Sequence, residues 1–352
     1  MPVRVVPSAL ASSHPSPAMR ISLISVVAAI IVGVAASSGD RAKPFKECVE
    51  RCTTTCSEPL PLDLRLTGWT CLDDCKYTCM HQITANVMGR GERPRQYFGK
   101  WPFWRFLGMQ EPASVLFSLL NLWAHVRGSR ALQRRVPRGH PMKPYYTAWS
   151  WISANTWVWS AVFHTRDFPL TERLDYFSAA LTILSALQYT VIRLFHLYPQ
   201  HPPVPKRATI RNVWTAACAL VYIAHVTYLS VLPRFDYAYN IIFNTIMGMT
   251  HNLLWLLFAL PARWSLFRRY PHRPKAYRPA FVGKVALFVA LTTAATALEL
   301  LDFPPWGLVI DAHSLWHLAT APIAIVWYRF LIEDASDESW RDVRVRSSSL
   351  KT

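Results

Sequence analysis

The stretch LELLDFPPWGLVIDAHSLWHLATAP, residues 298–322, sets His313 and His317 four positions apart in an otherwise apolar run. On a helix that spacing puts both imidazoles on one face, one turn apart. An H-x3-H pair on a helix is a common way to supply two metal bonds with little further ordering. The run is apolar enough for a membrane, and ionisable groups within a membrane mark functional sites by default. The blander reading is two buried histidines bonding to neighbouring helices. What decides between the two is whether other segments bring a third ligand and a base to the same depth.

The rest of the chain resembles this stretch in character. Of 352 residues, 52% are hydrophobic, 13% aromatic and only 17% charged, which points to a polytopic membrane protein rather than soluble domains. The net charge of +17 lies in short loops between apolar runs, and neither zinc-finger spacing nor an RNP-like aromatic motif accompanies it. Nucleic-acid binding is therefore excluded in favour of membrane topology.

Seven runs are long enough to cross a bilayer: 107–126, 145–164, 175–197, 211–232, 237–260, 282–301 and 308–330. Pro112 interrupts the first of them, and Trp101, Phe103 and Trp104 ahead of it read as an interfacial aromatic belt. Loops after the first, third and fifth runs are rich in Arg and Lys, whereas those after the second, fourth and sixth are not. The positive-inside rule then puts the N-terminal region in the lumen and the C-terminus in the cytosol.

Residues 1–36 read as a secretory signal peptide, with an apolar core at Ile21–Ala36 after Arg20. Met19 is a second candidate start, and an uncleaved anchor is the alternative. A lumenal cysteine-rich region with an interfacial segment follows over 37–106, a seven-helix transmembrane domain over 107–330 and a cytosolic tail over 331–352. Within the cysteine-rich region, Cys48, Cys52 and Cys56, then Cys71, Cys75 and Cys79, form two C-x3-C-x3-C triplets separated by Pro59, Pro61 and Gly68. Two short helices folded back antiparallel would pair Cys48 with Cys79, Cys52 with Cys75 and Cys56 with Cys71. Behind a signal peptide, disulfides are the expected use, although six cysteines allow 15 connectivities. Cys218, in an apolar helix, reads as a small core residue.

With this topology, Ser160 and His164 lie one turn apart at the lumenal end of the second span, Asp175 opens the third, and His313 and His317 enter from the same side on the seventh. Three imidazoles from two helices suit tetrahedral zinc with one open position. A carboxylate there would serve as general base and a hydroxyl would hold the carbonyl oxygen or orient the water. A Ser160–His164–Asp175 triad is the rival, but it leaves His313 and His317 unexplained. His125, His225 and His251 are lone span histidines and read as core. Glu111, Glu299 and Asp302 lie near the lumenal end, where they read as bonding helix termini or Arg105, with a catalytic role for any of them as the lesser alternative. Asp311 reads as a second-shell partner of a ligand histidine or as a helix cap.

GKWPFWRFLGMQEPASVLFSLLN (99–121), FHTRDFPLTERLDYFSA (163–179) and the opening stretch together resemble the Per1/PGAP (post-GPI-attachment to proteins) family, which acts in lipid remodelling of glycosylphosphatidylinositol (GPI) anchors. The likeness extends over nearly everything after the signal peptide. It implies membership of a membrane-hydrolase superfamily that includes alkaline ceramidases and adiponectin-type receptors. In that superfamily a Ser-x3-His, an Asp on the next helix and a late His-x3-His form a zinc amidase or esterase site. Ser160, His164, Asp175, His313 and His317 match those positions. The resemblance implies phospholipase A2-type removal of the sn-2 acyl chain from GPI anchors already on protein, with Zn2+ as cofactor and GPI-anchored proteins as substrate. Such a site belongs in the endoplasmic reticulum membrane, with the Golgi membrane as alternative. A ceramidase-like amidase and a non-catalytic lipid receptor or scaffold remain as other readings.

Overall fold

The computed structural model describes residues 38–340, apart from 201, 267 and 300 and the side chain at 299. The signal peptide expected over 1–36 and the end of the expected tail lie outside these residues. Every extended element is a helix: α1 (Lys43–Thr55), α2 (Leu62–Leu66), α3 (Cys71–Gly89), α4 (Pro112–Arg135), α5 (Lys143–Thr165), α6 (Pro169–Leu194), α7 (Pro205–Val231), α8 (Tyr237–Ala259), α9 (Gly283–Glu299) and α10 (Ala312–Ser336).

The cysteine spacing does what its periodicity dictates. One cysteine per turn lines a single face of α1 and of α3, and the two faces meet antiparallel. The bridges are Cys48–Cys79, Cys52–Cys75 and Cys56–Cys71, as the ladder geometry requires. The turn between them holds the short α2, and α3 starts on a capping box formed by Thr70 and Asp73.

Five helices, α6 to α10, are long and apolar enough to cross a membrane. Seven were expected. The other two, α4 and α5, are equally long, but their composition falls short for an identifiable reason. Their inner faces are polar: α4 buries Ser114, Ser118, Asn121, His125 and Ser129, and α5 buries Ser150, Ser153, Thr156, Ser160 and His164. The C-terminal turns of α4 add Arg127, Arg130, Arg134 and Arg135.

Small polar residues let these helices approach closely. Ser150 bonds Ser129 across the interface at 2.9 Å, and a Cβ on Gly128 would lie 2.2 Å from the Tyr328 ring of α10. Principal contacts run from α4 to α5, α6, α8, α9 and α10 and back to α4, with α7 lying against α6. At the end away from the cysteine-rich segment the core is aromatic, with Trp255, Phe258, Trp327 and Phe330 packed together. Beside it, Arg193 and Asp334 form a fully buried bidentate pair at 2.8 and 2.6 Å.

Several boundaries move from their expected places. Pro112 does not break the first long helix; it opens it, because a proline's missing N–H costs nothing in a helix's first turn. The third long helix begins at Pro169, so Asp175 stands inside it rather than at its start. The last begins after Asp311, whose side chain accepts from Ser314 N at 2.8 Å, and it continues to Ser336.

Candidate metal centre

One end of the bundle gathers the N-termini of α4, α6 and α10 and the C-terminus of α5, next to the cysteine-rich segment. Main-chain bonds fasten it: Gln110 N to Thr165 O (2.9 Å), Glu111 N to His164 O (3.0 Å) and Trp104 N to Leu308 O (2.9 Å). Gly108, at φ +76°, takes the turn between the two regions. A Cβ there would meet Thr67 Oγ1 at 2.3 Å, so the close approach also needs glycine.

His164, His313 and His317 meet at this end with ligand nitrogens all within 4.8 Å of one another. His313 Nε2 lies 2.9 Å from His317 Nε2 and 3.4 Å from His164 Nε2. Nitrogens bound at 2.0–2.1 Å to a tetrahedral zinc sit about 3.3–3.4 Å apart, so the spacing is close to what such an ion needs.

The outer nitrogens fix the tautomers. Glu111 Oε2 lies 2.9 Å from His164 Nδ1, and the carboxylate can only accept, so His164 donates from Nδ1. Ser118 gives its one proton to Ser114 O at 2.7 Å. Its oxygen therefore accepts from His317 Nδ1 at 2.9 Å and from Ser160 Oγ at 3.1 Å. Both His164 and His317 then turn an Nε2 lone pair inward. With all three rings neutral, at most one proton serves the three converging nitrogens, an arrangement that could hold a cation. Asn121 Nδ2 holds the His317 carbonyl at 2.6 Å and Trp316 stacks on His313, so the rings are braced from outside.

Glu111 sits just ahead of α4 and is nearly inaccessible. Burial alone would raise its pKa, but Lys100 and His164 outweigh that and hold it well below the usual carboxylate range. Lys100 Nζ lies 2.5 Å from Glu111 Oε1 and 3.1 Å from Asp167. Its burial is likewise outweighed, by those two carboxylates, and its pKa is raised. Glu111 therefore remains an anion and an acceptor for His164.

Of the five residues singled out from the sequence, four come together: the three histidines, and Ser160 through Ser118. Asp175 stands half-buried on α6, and its carboxylate is not among the donor atoms within 4.8 Å. The bonds that a serine triad calls for are not the ones present, since His164 pairs with Glu111 and Ser160 with Ser118. His125 bonds Tyr328 Oη at 3.0 Å, His225 stacks on Phe243 and His251 bonds Asn252, so all three are core residues as expected. Asp311 caps α10, and Asp302 accepts from Gln96 and Trp101. It is Glu111, not Asp311, whose carboxylate bonds a histidine of the group. Ser118 and Asn121 were missed from the sequence, although Ser114, Ser118, Asn121, His125 and Ser129 repeat at helical spacing and mark one polar face of α4.

The Per1-like family model matches residues 61–335, well over half of the chain. The chain belongs to the Per1-like family. This Per1-like chain is 40% identical over 311 residues to the GPI-specific phospholipase A2-like PGAP3 of Xenopus laevis, covering 86% of this chain and 91% of that protein. Its identity to the human GPI-specific phospholipase A2-like PGAP3 is 38% over 327 residues, 90% of this chain and 94% of the other. The Drosophila melanogaster post-GPI attachment to proteins factor 3 is 38% identical over 321 residues, 87% of this chain and 92% of its own length. No solved structure matches the Per1-like chain.

Proposed function

We propose that the chain is a phospholipase A2-type hydrolase that removes the sn-2 acyl chain from GPI anchors on proteins. The carrying observation is the convergence of the Nε2 atoms of His164, His313 and His317, with the outer nitrogens of His164 and His317 already bonded, in a chain similar to proteins named GPI-specific phospholipase A2-like. His164, His313 and His317 would hold zinc. When bound, zinc supplies Lewis acidity towards water and the ester carbonyl. Glu111 keeps His164 in its ligand tautomer, and Ser118 does the same for His317. Asp175 acts as the general base and Ser160 positions the substrate carbonyl or the attacking water. Both α4 and α5 span the membrane, giving seven crossings with the centre on the lumenal face of the endoplasmic reticulum membrane.

The test is metal content and fatty-acid release by purified full-length protein, run on GPI-anchored protein as substrate. Alanine at His164, His313 or His317 should remove zinc and activity together. Asp175→Asn should keep the metal and lose about 10²–10⁴-fold in rate. Full activity in metal-free wild-type protein, unaffected by chelators, would end this reading.

A further inference from the structure

Beside the histidine centre, between α3 and the strands of loop that lead to α4, lies a cavity of about 200 Å3. Its walls include the rings of Trp69, Tyr77, Tyr97, Phe98, Trp101 and Phe103. Six charged side chains share the lining: Lys76, Lys100, Arg166, Asp73, Glu111 and Asp167. The three cations face three carboxylates, and the pairs are made: Lys100 with Glu111 and Asp167, Arg166 with Asp73 at 2.8 Å, and Lys76 with Asp73 at 3.9 Å.

That balance excludes several occupants. A phosphate would meet as many carboxylates as cations, so the field offers it no net attraction. An acyl chain would strip water from ion pairs and give no hydrogen bonds in return, which is costly. Paired charged groups among aromatic faces suit a neutral polyhydroxylated ring. Its C–H face packs on the aromatic rings, and its hydroxyls both donate to the carboxylates and accept from the cations.

Glu111 joins this cavity to the centre. Its Oε1 takes Lys100 inside the cavity while its Oε2 holds His164. A ring bound in the cavity therefore sits one side chain away from a histidine of the centre.

We propose that this cavity is a carbohydrate subsite that binds a neutral pyranose of the anchor's glycan while the acyl ester enters the histidine centre. The assignment rests on the GPI-hydrolase reading given above. It makes the cysteine-rich segment, which supplies Trp69, Lys76 and Tyr77, part of substrate recognition.

The experiment uses full-length protein in detergent and isothermal titration with a deacylated, phosphate-free mannosyl-glucosaminyl-inositol as probe. Inositol 1-phosphate is the comparison ligand. Wild type should bind the glycan saturably and the inositol phosphate far more weakly. Phe98→Ala and Lys76→Gln should each weaken glycan binding about tenfold, with zinc content and thermal midpoint as in wild type. Phe98→Tyr, which keeps an aromatic face at this exposed position, should bind like wild type.

In turnover the first two variants should raise KM for the anchored protein and spare kcat. No saturable glycan binding, inositol phosphate bound as tightly as glycan, or Phe98→Ala and Lys76→Gln binding like wild type would each overturn the subsite. Fatty-acid release is measured separately. Glycan binding without release would leave the subsite standing and end the hydrolase reading; release without glycan binding would do the reverse.

Discussion

His164 and His317 each engage a neighbour through Nδ1, Glu111 in one case and Ser118 in the other, and present Nε2 to the third histidine. Outer partners of this kind typically change metal affinity about 10–100-fold when removed. Glu111→Gln should therefore weaken zinc binding by that order, because an amide can no longer hold His164 Nδ1–H beside Lys100 as an anion does. Ser118→Ala should do the same through His317, while Ser160→Ala, one bond further out, should leave zinc affinity nearly intact. Competitive titration with a chelator ranks the three. Equal losses for Ser118→Ala and Ser160→Ala would contradict the chain of bonds drawn here. At this scale the sequence exposes only what repeats. The i, i+4 spacings of Ser160/His164 and His313/His317 announce themselves, and the match to a family pattern joins them. The partners of Glu111 and Ser118 lie 53 and 199 positions away, and no local pattern encodes such a bond.

At the scale of elements, the cysteine ladder was the most legible feature, because one cysteine per turn on two antiparallel helices sets the six residues opposite one another in three pairs. Alkylated protein mapped without reduction should yield Cys48–Cys79, Cys52–Cys75 and Cys56–Cys71 as intrachain bridges. Each native bridge is worth roughly 2–4 kcal/mol to a small unit, so free thiols at these six positions would be inconsistent with its fold. Helix starts were harder to read, since Pro112 and Pro169 look like breakers in sequence and act as first-turn residues in space. The buried Arg193–Asp334 pair had no sequence signal at all, its partners being 141 residues apart on α6 and α10. Tyr270 also donates to Asp334 at 2.9 Å, and Arg193 to Arg269 O at 2.9 Å, so the pair ties the loop after α8 to two helices. Removing one member of such a pair costs about 3–5 kcal/mol because the other charge is left buried. Asp334→Asn should thus lower the thermal midpoint in detergent sharply. Adding Arg193→Met to that variant should recover part of the loss; a double variant worse than the single one would argue that the arginine acts through packing alone.

For the whole molecule, the place of α4 and α5 in the membrane sets the number of crossings. Apolarity alone identifies five crossings, α6 to α10, yet the three helices that build the centre include both of the ones left out. Their polar residues face α6, α10 and each other and are buried within the bundle. Leu116, Leu119 and Trp123 are exposed on α4, as are Trp151, Val158 and Val162 on α5, which gives both helices an apolar outer surface. The arginines cluster at the end of α4 remote from the centre, where a crossing helix would place them in the cytosolic interface. Both arrangements put the cysteine-rich segment and the C-terminal end of α10 on opposite sides, so they differ at one connection, residues 136–142. If α4 and α5 cross, that connection faces the cytosol; if they lie on the lumenal surface, it does not. Arg138 and Arg234 are both exposed, on this connection and on the one between α7 and α8. In sealed microsomes, Arg138→Cys should react at once with a membrane-impermeant maleimide. Arg234→Cys, which the proposed orientation puts on the lumenal side, should react only after permeabilisation. The native cysteines contribute no background, since six are in bridges and Cys218 is buried. Protection of Arg138→Cys in the sealed vesicles would reduce the crossings to five and place the histidine centre on a bundle only partly held in the bilayer.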